Sequence, residues 1–290
     1  MNLTRVLQPY VCCLGNPVAG NPTQFVMYRA ARASGVDWRF FTSQVEVDQF
    51  EIAFRGVQAL GLSGMALFDP FQSASLALLD SVTESALCLG KANVARLDGN
   101  SWLGDNTLGS AIINCIRPML TLLVPPESED AGGQSAKKQP CMLVVGNRKM
   151  AKAMRLANAE LASRIVVVHE GIESDANETA NELWGLTSLD AFAKLELKID
   201  CLVLDSLPNA TVTRQLGSLA WSNQASCLMV GYASEKQSRH WQDSLKVTGL
   251  TRIEPIELMA YQAAADFFFW TGVEPSIDLI RDSLEEYLQW

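Results

Sequence analysis

The sequence predicts two α/β domains joined by a polar linker. The chain has 290 residues, about twice the length of a typical domain. Short apolar runs alternate with longer amphipathic ones, which is the pattern of parallel strands joined by crossover helices. A stretch at 125–140 (PPESEDAGGQSAKKQP) is rich in Pro, Gly and charge and has almost no apolar residue to bury. This composition predicts a linker between the domains.

Apolar and amphipathic runs place the elements of the first half. Strands are predicted at Tyr10–Leu14, Trp38–Thr42 and Met65–Phe68. Helices are predicted at Thr23–Ser34, Val47–Leu60, Ser73–Cys88 and Leu108–Leu120. The runs Asn93–Leu97 and Ser101–Leu103 flank an Asp-Gly pair, and a D-G turn between two such runs predicts a β-hairpin.

After the linker, the run CMLVVG predicts a buried parallel strand that opens a new domain. Further strands are predicted at Arg164–Val168, Cys201–Asp205 and Cys227–Val230, with a crossover helix at Lys149–Ala162. Two amphipathic helices, Ile256–Thr271 and Ile277–Leu288, end the chain, and we expect them to return to the first domain. The predicted domains are therefore 1–118 with 256–290, and 119–255.

Composition excludes several classes of function. Lys and Arg number 23 against 32 Asp and Glu, a net charge of −9, which argues against nucleic-acid binding. No apolar run approaches the roughly 20 residues of a membrane span. Seven cysteines without a C-x-x-C pair and only two histidines argue against a zinc site. They favour free thiols in a reducing, cytoplasmic setting.

Several short motifs recur in one order along the chain. They are LGNPVA at Leu14–Ala19, GMALFDPF at Gly64–Phe71, GDNT at Gly104–Thr107, QAA at Gln262–Ala264 and WTGVEP at Trp270–Pro275. The ordered set resembles the shikimate dehydrogenases. The resemblance implies an N-terminal open α/β substrate domain and a C-terminal Rossmann-like doubly wound domain that binds NADP. It also implies reduction of 3-dehydroshikimate to shikimate, or action on quinate.

The family's catalytic pair does not carry over to this chain. Gln72 stands at the position of the family's Lys, and Leu108 stands at the position of its partner Asp. An amide does not titrate in a useful range, and an aliphatic side chain can neither accept a hydrogen bond nor hold charge. The resemblance therefore leaves no assigned acid–base group.

Some capacity to bind a substrate is expected to remain. By the resemblance, Asn21 and Thr23 replace the two serines that receive the substrate carboxylate, and Gln72, Asn93 and Gln262 complete the binding set. Thr23 has an equally good alternative as the N-cap of the following helix. For Asn93 and Gln262, the alternative is a structural hydrogen bond.

The cofactor-binding positions have also changed. The loop after the first strand of the second domain reads Gly146-Asn147-Arg148, and Arg148 stands where the dinucleotide fingerprint requires a second glycine. Glu170 ends the next strand, where NADP-binding relatives place an Arg, and its charge would repel a 2′-phosphate. We expect no dinucleotide cofactor, although the resemblance leaves NAD or NADP open.

Three hypotheses follow. The first is a shikimate dehydrogenase-like protein that lacks or alters the family's reaction and binds a small hydroxy acid or a protein partner between its domains. The second is an active NAD(P)-dependent dehydrogenase with a rewired proton path, for example through water held by Gln72 and Asp69. The third is a non-catalytic interaction module, hinted at by apolar Ala66, Leu67, Phe68 and Leu108. A homodimer is compatible with each.

Overall fold

The computed structural model describes residues 8–122, 140–157, 164–168, 183–186, 189–231, 240–241, 243–245, 247 and 249–289. The chain divides into two compact units. Unit 1 comprises residues 1–111 and 259–290, and unit 2 comprises residues 112–258. The divisions at 111 and 258 lie near the predicted ones at 118 and 255. The protein is thus of the α/β class, with one mixed and one parallel sheet.

Unit 1 is built on a six-stranded sheet of order β2-β1-β3-β5-β6-β4. The strands are β1 (Tyr10–Gly15), β2 (Arg39–Gln44), β3 (Gly64–Leu67), β4 (Ser81–Val82), β5 (Val94–Asp98) and β6 (Ser101–Asp105). The helices of its first part are α1 (Thr23–Ala33), α2 (Phe50–Ala59), α3 (Phe71–Ala74), α4 (Glu84–Leu89) and the start of α5 (Leu108–Leu122). Strands β1, β2 and β3 are parallel, whereas β5 is antiparallel to both β3 and β6.

The predicted hairpin is present as β5 and β6, with Asp98 paired to Ser101 and Gly99 at a φ of +63° in the turn. The predicted helix Ser73–Cys88 is wrong. That segment contains α3, a 3₁₀ turn at Ser75–Ala77, strand β4 and helix α4. The interruption has a local cause, because the Thr83 hydroxyl caps a new helix by accepting a hydrogen bond from the amide of Ala86.

Unit 1 also contains the two C-terminal helices, α9 (Pro255–Thr271, whose first four residues belong to unit 2) and α10 (Ile277–Leu288). The indole nitrogen of Trp270 donates to the carbonyl of Ala95 at 3.0 Å, and the guanidinium of Arg96 donates to the carbonyl of Phe269 at 2.8 Å. A side chain at Gly64 would meet the Trp270 ring at 2.8 Å, so glycine is required for this close packing. These contacts hold α9 along β5.

Unit 2 is a six-stranded parallel sheet of order β12-β11-β10-β7-β8-β9. Its strands are β7 (Cys141–Val145), β8 (Arg164–Val168), β9 (Leu183–Leu186), β10 (Ile199–Leu204), β11 (Trp221–Met229) and β12 (Thr251–Ile253). Its helices include α6 (Arg148–Ala157), α7 (Leu189–Ala193) and α8 (Ala210–Ser218). Read from β9, the order 3-2-1-4-5-6 is that of a doubly wound Rossmann sheet.

Sequence patterns located the central strands of unit 2 and missed its edges. Strand β7 is a fully apolar run, and β8 and β10 are apolar apart from Arg164 and Asp200, as is typical of buried parallel strands. Strands β9 and β12 have only four and three residues, too few for a pattern to show. Nearly all of the predicted linker and the end of the predicted helix Lys149–Ala162 lie outside the described residues. No helix in the described part is long and apolar enough to span a membrane.

Candidate functional site

Several polar side chains of unit 1 lie at one edge of its sheet. Strands β1 and β3 end there, with Leu14 paired to Leu67. Because β5 is antiparallel to β3 and β6 is antiparallel to β5, β5 begins and β6 ends at the same edge. The loops after β1, β3 and β6 therefore meet at this edge, which is where open α/β sheets bind ligands.

A three-residue hydrogen-bond network, formed by Asn93, Thr107 and Asp266, lies at this edge. The Asn93 amide donates to Thr107 Oγ1 and to Asp266 Oδ1, both at 2.9 Å. Its carbonyl oxygen accepts the backbone N–H of Thr107 at 2.9 Å. The Thr107 hydroxyl donates to Asp266 Oδ1 at 2.5 Å. Both N–H groups of the Asn93 amide are thus used inside the protein, so its predicted ligand contact is limited to one remaining acceptor lone pair.

Asp266 is the titratable group of this network. Burial raises the pKa of Asp266 to about 7, and the nearby Asp105 raises it further in the same direction. The hydrogen bonds from Thr107 and Asn93 stabilise the carboxylate and oppose this rise. The side chain is only partly buried. A carboxyl with a pKa near 7 holds and releases a proton at neutral pH, which suits acid–base chemistry.

Gln72 and Leu108, which the resemblance places at the family's catalytic positions, have structural partners. The Gln72 amide donates to the carbonyl of Leu67 at 3.0 Å and braces the loop after β3. Leu108 is the first residue of α5, and its N–H donates to the Asn106 side chain at 3.2 Å. Asp69, the predicted partner of Gln72 in a rewired proton path, has an exposed side chain.

The apolar substitutions near this edge are mostly buried. Ala66 and Leu67 are 2% and 0% exposed in β3, and Phe68 and Leu108 are partly buried. Ala66 and Leu67 therefore add no surface for a protein partner. These two residues give no support to the hypothesis of an interaction module.

The loop after β1 carries the two predicted carboxylate-binding residues. Helix α1 begins at Thr23, and Pro22 precedes it without a side-chain cap. The alternative of Thr23 as an N-cap is therefore wrong, because Asn21 Oδ1 instead accepts the Thr23 N–H at 2.9 Å. The Thr23 hydroxyl makes no hydrogen bond to another described residue. Contact of either residue with a ligand remains a prediction.

Gln262 lies one helical turn before Asp266 on α9, on the same face. Since Asp266 lies against the start of β5, Gln262 lies about 6 Å further along the axis, beyond the sheet edge. Its partly buried side chain has no hydrogen-bond partner among the described residues. The amide is therefore available to a ligand, and its predicted contact with one stays a prediction.

In unit 2, the Asn147 side chain in the loop after β7 caps the start of helix α6. Asn147 Oδ1 accepts the backbone N–H groups of Lys149 and Met150, at 2.9 and 3.4 Å, at the start of α6. These are N–H groups of the kind a pyrophosphate would accept at a helix N-terminus. A pyrophosphate bound to these N–H groups would have to displace the Asn147 side chain. The obstruction predicted from Arg148 stays a prediction.

Gly146 also lies against an acidic side chain. Its φ of +126° favours glycine, and a Cβ there would meet the Asp205 Cβ at 2.6 Å. Asp205 follows β10 and places a carboxyl group beside the loop, where a phosphate would be repelled. Glu170 lies outside the described residues, so its predicted effect on a 2′-phosphate stays a prediction.

A separate cavity of about 740 Å³ lies in unit 2. It is bordered by α8 together with Leu207, Pro208, His240, Trp241 and Leu245. None of the residues predicted from sequence lines it. Among the described residues, no group of three or more His, Cys, Asp or Glu side chains is arranged to hold a metal ion.

Curated proteins with similar sequences include several shikimate dehydrogenases. The chain is 25% identical to shikimate dehydrogenase (NADP(+)) of Bacillus subtilis over 92% of its own length and 93% of that protein. The chain is thus a divergent relative of the shikimate dehydrogenases. No model of a known protein family matches the sequence.

Solved structures agree with the fold. Mycobacterium tuberculosis shikimate dehydrogenase aligns with a TM-score of 0.69 at 20% identity, over 96% of this chain and 99% of that one. An Ael1 enzyme from Pseudomonas putida aligns with a TM-score of 0.73 at 16% identity, over 95% and 98%. At these identities the likeness shows the fold alone.

Sequence reasoning missed Asp266. The residue is the sole charge in the segment QAAADFFFW, between Gln262 and Trp270. A charged residue one turn after a predicted binding residue, on an apolar helix, is rarely left unpaired when buried. That pattern could have indicated Asp266 as a candidate site residue. Its partners Asn93 and Thr107 are more than 150 residues away, so only the fold reveals them.

Proposed function

We propose that this protein binds a small hydroxy acid of the shikimate type through unit 1 and does not carry out the NADP-linked reaction for which its relatives are named. The observation that carries this proposal is the hydrogen bond of Gln72, whose amide donates one N–H to the carbonyl of Leu67. With Leu108 at the partner position, neither residue transfers a proton. Loss of such a pair costs about 10² to 10⁴ in rate.

Binding is supported by the polar side chains at the sheet edge. The Thr23 hydroxyl and the Gln262 amide have no described partner, so each can donate to a ligand without breaking an internal hydrogen bond. A carboxylate accepts hydrogen bonds strongly, and ring hydroxyls both donate and accept. A hydroxy acid matches this set of donors.

The loop after β7 supports the second half of the proposal. Asn147 satisfies the helix N–H groups, and Asp205 lies beside Gly146. Neither feature favours a phosphate. We therefore propose that neither NADP nor NAD binds at this loop in the manner typical of a Rossmann domain.

Calorimetric titration with shikimate and with quinate tests binding, and nicotinamide absorbance with NADP or NAD tests turnover. We expect binding of at least one acid and no turnover above background with either dinucleotide. Steady turnover by the unmodified chain would overturn the proposal. Absence of binding to both acids would remove its first half.

A second candidate is an active dehydrogenase with a different proton path. One observation favours it: Asp266, with its pKa raised to about 7 by burial, is a titrating group within the unit 1 site. The same turnover assay decides between the candidates. Turnover that is lost in Asp266→Asn would establish the second.

A further inference from the structure

Asp266 has two oxygens in different environments. Oδ1 accepts hydrogen bonds from both Asn93 and Thr107, at 2.9 and 2.5 Å. Oδ2 accepts none from any described residue, and it is not among the buried atoms that lack a partner. Oδ2 is therefore in contact with solvent at the polar edge of unit 1.

We propose that Asp266 Oδ2 distinguishes the carbonyl form from the hydroxyl form of a hydroxy acid bound in unit 1. This inference rests on the proposed function, because it assigns the recognition of one ligand oxygen at that site. The protonated carboxyl donates a hydrogen bond to a ligand carbonyl. The ionised carboxylate accepts one from a ligand hydroxyl.

The network determines which oxygen holds the proton. Two donors point at Oδ1, so a proton on that oxygen would face N–H and O–H groups and is disfavoured. The proton therefore resides on Oδ2. The same two hydrogen bonds fix the orientation of the side chain, and Trp270, one turn further along α9, anchors the helix to Ala95.

The charges around Asp266 allow both protonation states near neutral pH. Among the described residues, Asp105 at the end of β6 and Cys13 on β1 interact electrostatically with Asp266. Burial raises the pKa of Cys13 to about 12, so its thiol stays neutral in the working range. Burial raises the pKa of Asp266 to about 7, and the described side chains that shift it (Thr107, Asn93 and Asp105) include no cation.

The two ligand forms respond differently to this titration. A ketone oxygen only accepts, so it pairs with protonated Asp266 and loses its hydrogen bond when the carboxyl ionises. A hydroxyl donates and accepts, so it pairs with either state. Ionised Asp266 repels the carboxylate of both acids equally, and therefore the ratio of their dissociation constants reports the hydrogen bond alone.

The experiment is calorimetric titration of the unmodified protein, without a dinucleotide, with 3-dehydroshikimate and with shikimate at pH 6, 7 and 8. The ketone-to-alcohol ratio of dissociation constants should rise about tenfold from pH 6 to pH 8, because the binding-competent protonated fraction falls by about that factor. Asp266→Asn keeps an acceptor for Asn93 and Thr107 and places a permanent donor at the Oδ2 position. Its ratio should stay constant. Asp98→Asn, which removes an exposed carboxylate of the same unit, should behave like the wild type.

A constant ratio in the wild type would overturn this inference and leave the proposed function intact. A ratio that rises equally in Asp266→Asn would also overturn it, because another group would then be titrating. Absence of binding by both acids at every pH would overturn the proposed function and the inference with it.

Discussion

Replacing Asp266 by Asn should change how the stability of the fold depends on pH. In the wild type the folded-state pKa of about 7 lies above the ordinary value of 3.8. The folded protein therefore holds this proton to a higher pH than the unfolded chain does. The contribution to stability is fully present below about pH 4, falls as pH rises toward 7, and is lost above it.

The size of this stability change follows from the difference between the folded and unfolded pKa values of Asp266. The full difference in pKa corresponds to about 4 kcal/mol at about 1.4 kcal/mol per unit. Between pH 5 and pH 8 about two of those units are crossed, so roughly 2 to 3 kcal/mol should be lost, and less if solvent at Oδ2 screens the charge. Asp266→Asn keeps both hydrogen bonds at Oδ1 and has no proton to lose.

Urea unfolding of both proteins across pH 5 to 8 measures this effect, because all other titrating groups cancel in the difference. From pH 5 to pH 8, the free energy of unfolding of the variant should rise by about 2 kcal/mol relative to that of the wild type. Asp98→Asn should show no such trend. A difference that is independent of pH would refute the reasoning that burial raises the pKa of Asp266.

Three further predictions follow from other contacts. Thr107→Val removes a hydrogen bond to the carboxylate and should raise the pKa of Asp266, which would move the midpoint of the stability curve to higher pH; an unchanged midpoint would contradict this. Asn147→Ala removes the side-chain acceptor at the start of α6 and should cost about 1 kcal/mol in chemical unfolding, with Asn147→Asp retaining most of that stability. Gly64→Ala places a methyl group 2.8 Å from the Trp270 ring and should destabilise the protein by about 1 to 3 kcal/mol in thermal unfolding, whereas Gly56→Ala, on open helix surface, should not.

Much of the fold could be predicted from local patterns. The strand Arg164–Val168 and the helix Ile277–Leu288 match their predicted bounds, because an apolar run and an amphipathic period are properties of neighbouring residues. The segment Ser73–Cys88 could not be predicted this way. Its helical composition is overridden by pairing of β4 with β6 and by the Thr83 cap.

The candidate site divides in the same manner. Gln72 and Leu108 could be recognised as departures from the family pattern by reading the chain alone. The hydrogen-bond partners of Gln72 and Asn147 could not be predicted from the sequence, because an amide side chain has several donors and acceptors within reach in an unfolded chain. The obstruction of the loop after β7 by Arg148 stays a prediction, and only the structure shows that Asn147 caps the start of α6.

The linear order of residues by itself predicted the two α/β domains, the family likeness, and Gln72 and Leu108 at the positions of the family's Lys and Asp. Only the tertiary structure decided that an acidic group nevertheless lies in the unit 1 site. The pKa of Asp266 is raised to about 7 because α9, from the far end of the chain, lies along β5 and shields most of the carboxyl from water beside Asn93 and Thr107. Desolvation depends on every atom packed around a group, and most of those atoms belong to residues distant in sequence.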